Sequence, residues 1–331
     1  MKGTLSTILL AWTCLVQAQA FTGPSERTIS GFAQGTSYFV KYSSDKVLLK
    51  SEIDSVLNII DLSMSLYRDN SLIKTFNKAA NSSVQMDPHM RAVVEESFRI
   101  YDITNGIFDI TVFPLVELWG FGPRGFDKVP TTEQVDSVRQ FVGMDKLYVE
   151  DGTLFKTDPR VQIDVNGIAQ GYTVDVLAGY LLEKGIANFM VELGGEIRTH
   201  GQKADGSFKI MLDERSDVDP RFDRPVLVLR DKAITTSSIR EKNYQIGDEI
   251  VSHHIHPVLG KPIRNANMSV TVIAPSAMLA DALDNYLMCL SPPEAVAFVE
   301  KMPEVEMCIY FHENNQIKVL HSSGFNNYLY N

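Results

Sequence analysis

Cysteine is scarce in this chain, three in 331 residues, which excludes a scaffold built on disulfides. Long apolar runs are also missing: only the stretch from Leu5 to Val16 stands out, and it is too short to span a bilayer comfortably. There is no internal repeat, no low-complexity tract and no long Pro/Gly/Ser linker, so a solenoid is excluded and one continuous domain is favoured over two separable ones. Positive charge is in deficit, 31 Lys+Arg against 41 Asp+Glu for a net charge of −10, so nothing overall drives nonspecific attraction to nucleic acid or to an anionic membrane surface. What is present is a globular composition, 44% hydrophobic and 22% charged, on a chain long enough to bury a large core. An anionic ligand of such an acidic protein needs locally placed backbone N–H groups, a few cationic side chains or a bridging metal.

Residues 1–20 carry Lys2, the apolar run and then Ala18-Gln19-Ala20, the plan of a secretory signal peptide cleaved before Phe21. The expected mature unit is therefore residues 21–331, exported and, in a bacterium, periplasmic. Processing as a lipoprotein through Cys14 would attach the chain to a membrane, but Trp12-Thr13 precede that Cys where small residues are wanted. After cleavage Cys289 and Cys308 remain, both in apolar strings that suit buried, inert thiols, although an oxidising compartment would allow them to pair.

Gly31 to Tyr42 alternates as a strand would, and apolar spacing predicts helices over Ile53–Tyr67, Met90–Thr104, Thr131–Val142, Gly171–Lys184, Ala277–Leu290 and Pro293–Met302. Short β-rich segments fill Lys146–Thr157, Phe189–Tyr244, Met268–Ala274, Val305–Phe311 and Gln316–His321. Turn signals at Glu150-Asp151-Gly152 and Glu313-Asn314-Asn315 predict hairpins, hence antiparallel pairing. The class is α+β, antiparallel sheets covered by helices.

Four segments could carry chemistry. Asp164 to Tyr172 (DVNGIAQGY) is a Gly-bearing turn opening a helix, whose unpaired N–H groups and dipole suit a phosphate, although a plain capped helix has the same pattern. Glu192 to Ile197 (ELGGEI) is a paired-glycine turn, either a bulge or a ligand-facing loop. On a helix, Asp281 and Asn285 share a face with Asp284 adjacent, an oxygen set suited to Mg²⁺, and their apolar neighbours argue against full exposure. Ser252 to Pro262 holds three His in four residues; in an extended chain only His254 and His256 could share one zinc ion, and no third strong ligand stands nearby. One His serving as acid, base or positioning group is the preferred reading.

In this order the segments resemble the ApbE family, the FAD:protein FMN transferases. The resemblance covers nearly all of the mature chain: Gln34-Gly35-Thr36, Leu66-Tyr67, Gly106-Ile107-Phe108-Asp109, Leu118-Trp119-Gly120-Phe121-Gly122, the two glycine turns, Thr235-Thr236-Ser237, the His-x-Ile-x-Pro segment at His253 and the helix at Asp281. It implies a single large domain related to the T-fold. It also implies a Mg²⁺-dependent transfer of FMN from FAD to a Thr or Ser hydroxyl of a target flavoprotein, with release of AMP; a membrane-associated target is compatible with export. By the same resemblance the flavin and adenine contacts are Gln34, Tyr67, Ile107, Phe108, Asp109, Asp164, Gln170 and Ile255. The metal is held by the Gly167 carbonyl, Asp281 and Asn285 with Asp284 close by, and His253 and Asp281 are the catalytic residues.

The chain departs from the family pattern at five places. Asn285 stands where Thr is usual, His256 where Asp or Asn precedes the Pro, Val258-Leu259 where Arg/Lys-Thr follows it, Gln170 where Lys or Glu is usual, and Gln34 where Met is. Two alternatives therefore stand beside the transferase: a Mg²⁺-dependent FAD pyrophosphatase releasing FMN and AMP to water, and a flavin-binding protein without turnover.

Overall fold

The computed structural model describes residues 25–78, 80–126, 128–203, 206–212, 225–239, 243–246 and 249–330. Residues 1–20, read from the sequence as a signal peptide, lie outside them. In chain order the strands and helices are β1 (Glu26–Ala33), β2 (Thr36–Ser43), α1 (Lys50–Met64), α2 (Leu72–Asn77), β3 (Ser83–Gln85), α3 (Pro88–Ile103), α4 (Phe113–Leu118), α5 (Thr132–Arg139), β4 (Leu147–Glu150) and β5 (Thr153–Lys156). There follow α6 (Asn166–Glu183), β6 (Phe189–Leu193), β7 (Glu196–His200), β8 (Phe208–Met211), β9 (Val226–Leu229), β10 (Ala233–Ser238), β11 (Asn243–Ile246) and β12 (Glu249–Ser252). The last are β13 (Ile255–His256), β14 (Lys261–Pro262), β15 (Asn267–Ala274), α7 (Ala277–Leu287), α8 (Pro292–Val299), β16 (Glu306–Glu313) and β17 (Gln316–His321).

Eight strands form one sheet in the order β1-β2-β6-β7-β10-β15-β16-β17, antiparallel throughout. Each strand presents alternate residues to opposite faces, and both faces are covered. On one side Val40, Val191 and Leu193 pack on α1 and α6 through Leu57, Val174 and Leu177, and Val270, Val272 and Ile309 pack on α7 and α8 through Leu283, Leu287 and Val299. On the other, Ile234, Ile273 and Tyr310 are covered by Ile210 and Leu227 of the β8–β9 hairpin and by Phe325. This explains why β15 is buried along its whole length, polar Asn267, Ser269 and Thr271 included, although its first six residues alternate polar and apolar. A third core joins α1, α2 and α3 to the small β3-β5-β4 sheet through Phe76, Met90, Val94 and Leu154.

The α+β antiparallel expectation is met, and the two turn signals close hairpins: Asp151 and Gly152 (φ 47° and 73°) join β4 to β5, and Asn314 and Asn315 (φ 50° and 58°) join β16 to β17. These paired positive φ values match the right-handed twist of the flanking strands. One expectation is corrected: Gly31 to Tyr42 is a hairpin, not a single strand, because Gln34 and Gly35 take φ 52° and 80° and turn the chain back between β1 and β2. The thiols stay unpaired, as their apolar strings suggested. Cys289 and Cys308 are both free, and burial pushes the Cys289 thiol up to about 12. Among the described residues no helix is long and apolar enough to cross a membrane.

Candidate active site

The site lies where α6 begins, where α7 ends and where two loops meet them. The packing of α6 on α7 sets its geometry. Asp175 of α6 accepts from the free N–H groups of Ala277 (3.0 Å) and Met278 (2.9 Å) at the start of α7, while Arg198 of β7 donates to it at 2.7 Å. A carboxylate at a helix N-terminus satisfies orphan donors and complements the dipole. The helices approach so closely that a Cβ on Gly171 would lie 2.2 Å from the Ala277 carbonyl oxygen and 2.8 Å from the Asp281 Cβ. Glycine is required there.

The close approach brings Asp281 of α7 against the first turn of α6. Its Oδ2 accepts from the Gly171 N–H at 2.9 Å. In a regular helix that donor points at the carbonyl four residues back, which is Gly167, so the Gly167 carbonyl competes with a carboxylate for it. Gly167 is also the residue at which α6 leaves helical dihedrals (φ −85°, ψ 19°). Across from it, Asn285 Nδ2 lies 3.4 Å from Asp281 Oδ1 and 3.1 Å from Asp284 Oδ1, and about 3.3 Å from where a Gly167 Cβ would be. The four expected metal-site residues, Gly167, Asp281, Asp284 and Asn285, therefore form one cluster, with the carboxylates only 4% and 3% exposed.

Two buried carboxylates side by side make a site of negative charge that a cation would complement. Among the described residues no group of three or more His, Cys, Asp or Glu could by itself hold a metal ion. A cation would therefore depend on the Asn285 amide oxygen and the Gly167 carbonyl beside the two carboxylates, an all-oxygen set that suits Mg²⁺. The Asn285 amide is assigned by its hydrogen bonds and can present oxygen instead of nitrogen to a cation.

Over this cluster lies a cleft lined by Ile107, Phe108, Asp109, Asp164, Gly167, His253, Ile255 and Asn285, eight of the residues singled out in the sequence. Asn166, Val112, Val116, Phe121, His254, Tyr286 and Cys289 also line it. Asn166 sits inside the glycine-turn motif and Phe121 inside Leu-Trp-Gly-Phe-Gly, so motif membership was the available signal for them. Tyr286 and Cys289 carried none, since they read as core positions of an apolar helix. Asp109 is buried, accepting from the Thr111 N–H (2.7 Å) and Oγ1 (2.6 Å), and burial raises its pKa to about 6 against those bonds.

Three expected contact residues are outside the lining. Gln34, at the β1–β2 turn, donates from Nε2 to Thr173 Oγ1 at 3.0 Å. Gln170 approaches the Gly194 turn, where a Cβ on Gly194 would lie 3.1 Å from Gln170 Nε2. Tyr67 is 64% exposed, and its pKa is raised by partial burial and by the charges of Asp164 and Glu117.

The histidine segment also differs from its extended reading. Rather than facing opposite sides, the rings of His253 and His254 lie 4.1 Å apart between centroids, and Phe121 meets His253 edge-on at 6.4 Å. His254 is buried and its Nε2 is 2.9 Å from Ser237 Oγ of β10. His256 is half-buried, with its Nδ1 3.4 Å from the Leu259 N–H it accepts. The hairpin that carries these residues is fastened from outside: Trp119 Nε1 donates to the Gly260 carbonyl at 2.8 Å, and Tyr244 Oη donates to the Trp119 carbonyl at 2.8 Å.

The model of the ApbE family matches residues 34–309. An FAD:protein FMN transferase of Vibrio cholerae serotype O1 is 35% identical over 97% of this chain and 98% of its own length, and one of Haemophilus influenzae is 32% identical over 91% of each. Among solved structures, the flavin transferase ApbE from Vibrio cholerae superposes with a TM-score of 0.84 at 35% identity, covering 92% of this chain and 99% of its own. The apo flavinyl transferase ApbE of Pseudomonas stutzeri superposes with a TM-score of 0.84 at 28% identity, covering 93% and 98%. Through the matched residues and the shared fold, the chain belongs to the ApbE family.

Proposed function

We propose that this chain is a Mg²⁺-dependent FAD:protein FMN transferase that moves FMN from FAD to a Thr or Ser hydroxyl of an acceptor flavoprotein and releases AMP. The observation that carries the reading is the cluster of Asp281, Asp284, Asn285 and Gly167 directly beneath a cleft that also presents His253. Gly167, Asp281 and Asn285 would hold the ion, with Asp284 supporting them. Bound there, Mg²⁺ supplies counter-charge to the pyrophosphate of FAD and polarises its phosphoryl oxygens. Ile107, Phe108, Asp109, Asp164 and Ile255 hold the nucleotide in the cleft, with Gln34, Tyr67 and Gln170 completing the contacts when FAD is bound.

In the reaction the acceptor oxygen bonds to the phosphorus of the FMN half, the P–O bond to AMP breaks, and AMP leaves with the electron pair. His253 takes the hydroxyl proton, for which imidazole has a suitable intrinsic pKa. In-line phosphoryl transfer asks the protein for little beyond position and charge. The reading includes cleavage of residues 1–20 as a signal peptide, one mature domain over 21–331, and action on an acceptor outside the cytoplasm.

The test is incubation of the mature chain with FAD, Mg²⁺ and a candidate acceptor flavoprotein, followed by in-gel flavin fluorescence and AMP quantification. Fluorescence that stays with the denatured acceptor is expected. Free FMN with unlabelled acceptor would mark a pyrophosphatase, and unchanged FAD a carrier.

A further inference from the structure

His254 lines the cleft but has been given no role above, and it is a buried titratable group. It is 6% exposed, its backbone carbonyl accepts from the Ile263 N–H at 2.8 Å, and its ring is sandwiched between His253 and the sheet. Its Nε2 meets Ser237 Oγ at 2.9 Å, and Ser237 sits on β10, between β7 and β15 in the eight-stranded sheet. His254 Nδ1 is buried and has no hydrogen-bond partner among the described residues. The tautomer with its proton on Nε2 donates to Ser237 and leaves only an acceptor unpaired, which costs less than an orphaned donor. Burial together with the neighbouring His253 holds the His254 pKa well below the ordinary histidine value, so the ring stays neutral. A neutral imidazole fixed at one end to a central strand is a rigid plate.

We propose that His254, anchored by Ser237, is a positioning residue that fixes the His253 ring in the cleft through the close, tilted contact between the two imidazoles. The inference rests on the reading of His253 as the base for the acceptor hydroxyl. It reverses what the extended reading implies, that His254 faces away and matters little. A plain packing role would be served as well by Phe, which keeps the ring and drops the N–H. Anchoring would not.

The experiment is a double-mutant cycle on the mature chain with Ser237→Ala, His254→Phe and the pair. It reads kcat for FMN transfer, the Kd for FAD and the melting temperature, alongside NMR of ¹³C/¹⁵N-histidine-labelled protein. Each single change is expected to lower kcat about tenfold, the scale of one buried hydrogen bond, with the FAD Kd within about twofold. The double change is expected to cost no more than either, because both remove the same bond. In the NMR spectra the His253 ring signals, sharp in the parent, are expected to broaden or split in all three variants. Unchanged kcat and sharp His253 signals in His254→Phe would overturn the proposal, as would additive losses or a parallel rise in the FAD Kd. Should the parent chain transfer no FMN, the reading of function fails while the NMR comparison still decides whether Ser237 and His254 fix His253.

Discussion

Replacing Asp281 separates the metal site from the fold, because its two carboxylate oxygens do different things. Oδ2 accepts from the buried Gly171 N–H at 2.9 Å, and Oδ1 faces the Asn285 amide, which also meets Asp284. Asp281→Ala removes both, so the Gly171 donor loses its charged acceptor where α6 and α7 touch, a loss of about 1.5–3 kcal/mol for a hydrogen bond to a charged group, and the alanine variant should melt at lower temperature. Asp281→Asn retains an oxygen for Gly171 but removes the negative charge, so its stability should stay within about 1 kcal/mol of the parent while the hard anionic ligand is lost. With a Lewis acid contributing several kcal/mol to phosphoryl transfer, the Asn variant should transfer FMN at least about a hundredfold more slowly. The assay pairs thermal melts with AMP release over a Mg²⁺ titration, the Asn variant being the informative one. Full FMN transfer by Asp281→Asn at the parent's Mg²⁺ requirement would refute the assignment.

Three further changes test separate parts of the account. Asp109 has a folded-state pKa of about 6, above its unfolded value, so the folded chain binds the extra proton between the two. Stability therefore falls as pH rises from about 4 to about 6, by up to about 3 kcal/mol, and Asp109→Asn should melt higher than the parent at pH 7.5 but not at pH 4. Gly171→Ala drives a Cβ into the Ala277 carbonyl and should cost about 1–3 kcal/mol or more, read as a lowered melting temperature by circular dichroism. Asn285→Thr places a hydroxyl that can take over the bond to the Asp281 carbonyl, now made by Asn285 Nδ2 at 2.9 Å, and leaves an oxygen for a cation; transfer activity should be equal or higher, and abolished activity would mean different coordination.

What the sequence made legible was mostly what local chemistry decides. The helix over Ala277–Leu287 and the strand over Gln316–His321 follow from periodicity and turn residues, and both appear within a few residues of their expected bounds. The short helices α2 and α4, six residues each, were not expected, since neither is long enough to show a period. The expected helix from Gly171 begins five positions earlier at Asn166, because the glycine turn is itself the first turn of α6. At the site, helical spacing put Asp281 and Asn285 on one face, whereas Gly167, on a different helix, was joined to them only by the family resemblance. That meeting depends on the contact at Gly171, which no local pattern reveals. The histidine segment is the clearest loss: extended-strand alternation separated His253 from His254, whereas tertiary anchoring by Ser237 and Trp119 brings the rings together.

Covalent transfer to a protein by way of His253 is tested most directly by the ratio of AMP released to FMN bound. The parent and His253→Ala are each incubated with FAD, Mg²⁺ and an acceptor flavoprotein, AMP is quantified, and acceptor-bound FMN is counted by intact-protein mass spectrometry. The parent is expected to give one AMP for each FMN attached. His253→Ala is expected to bind FAD as the parent does and to lose transfer by about a hundredfold or more, the usual contribution of a positioned base. AMP released by the parent without any mass gain on the acceptor, or undiminished transfer by His253→Ala, would contradict the account.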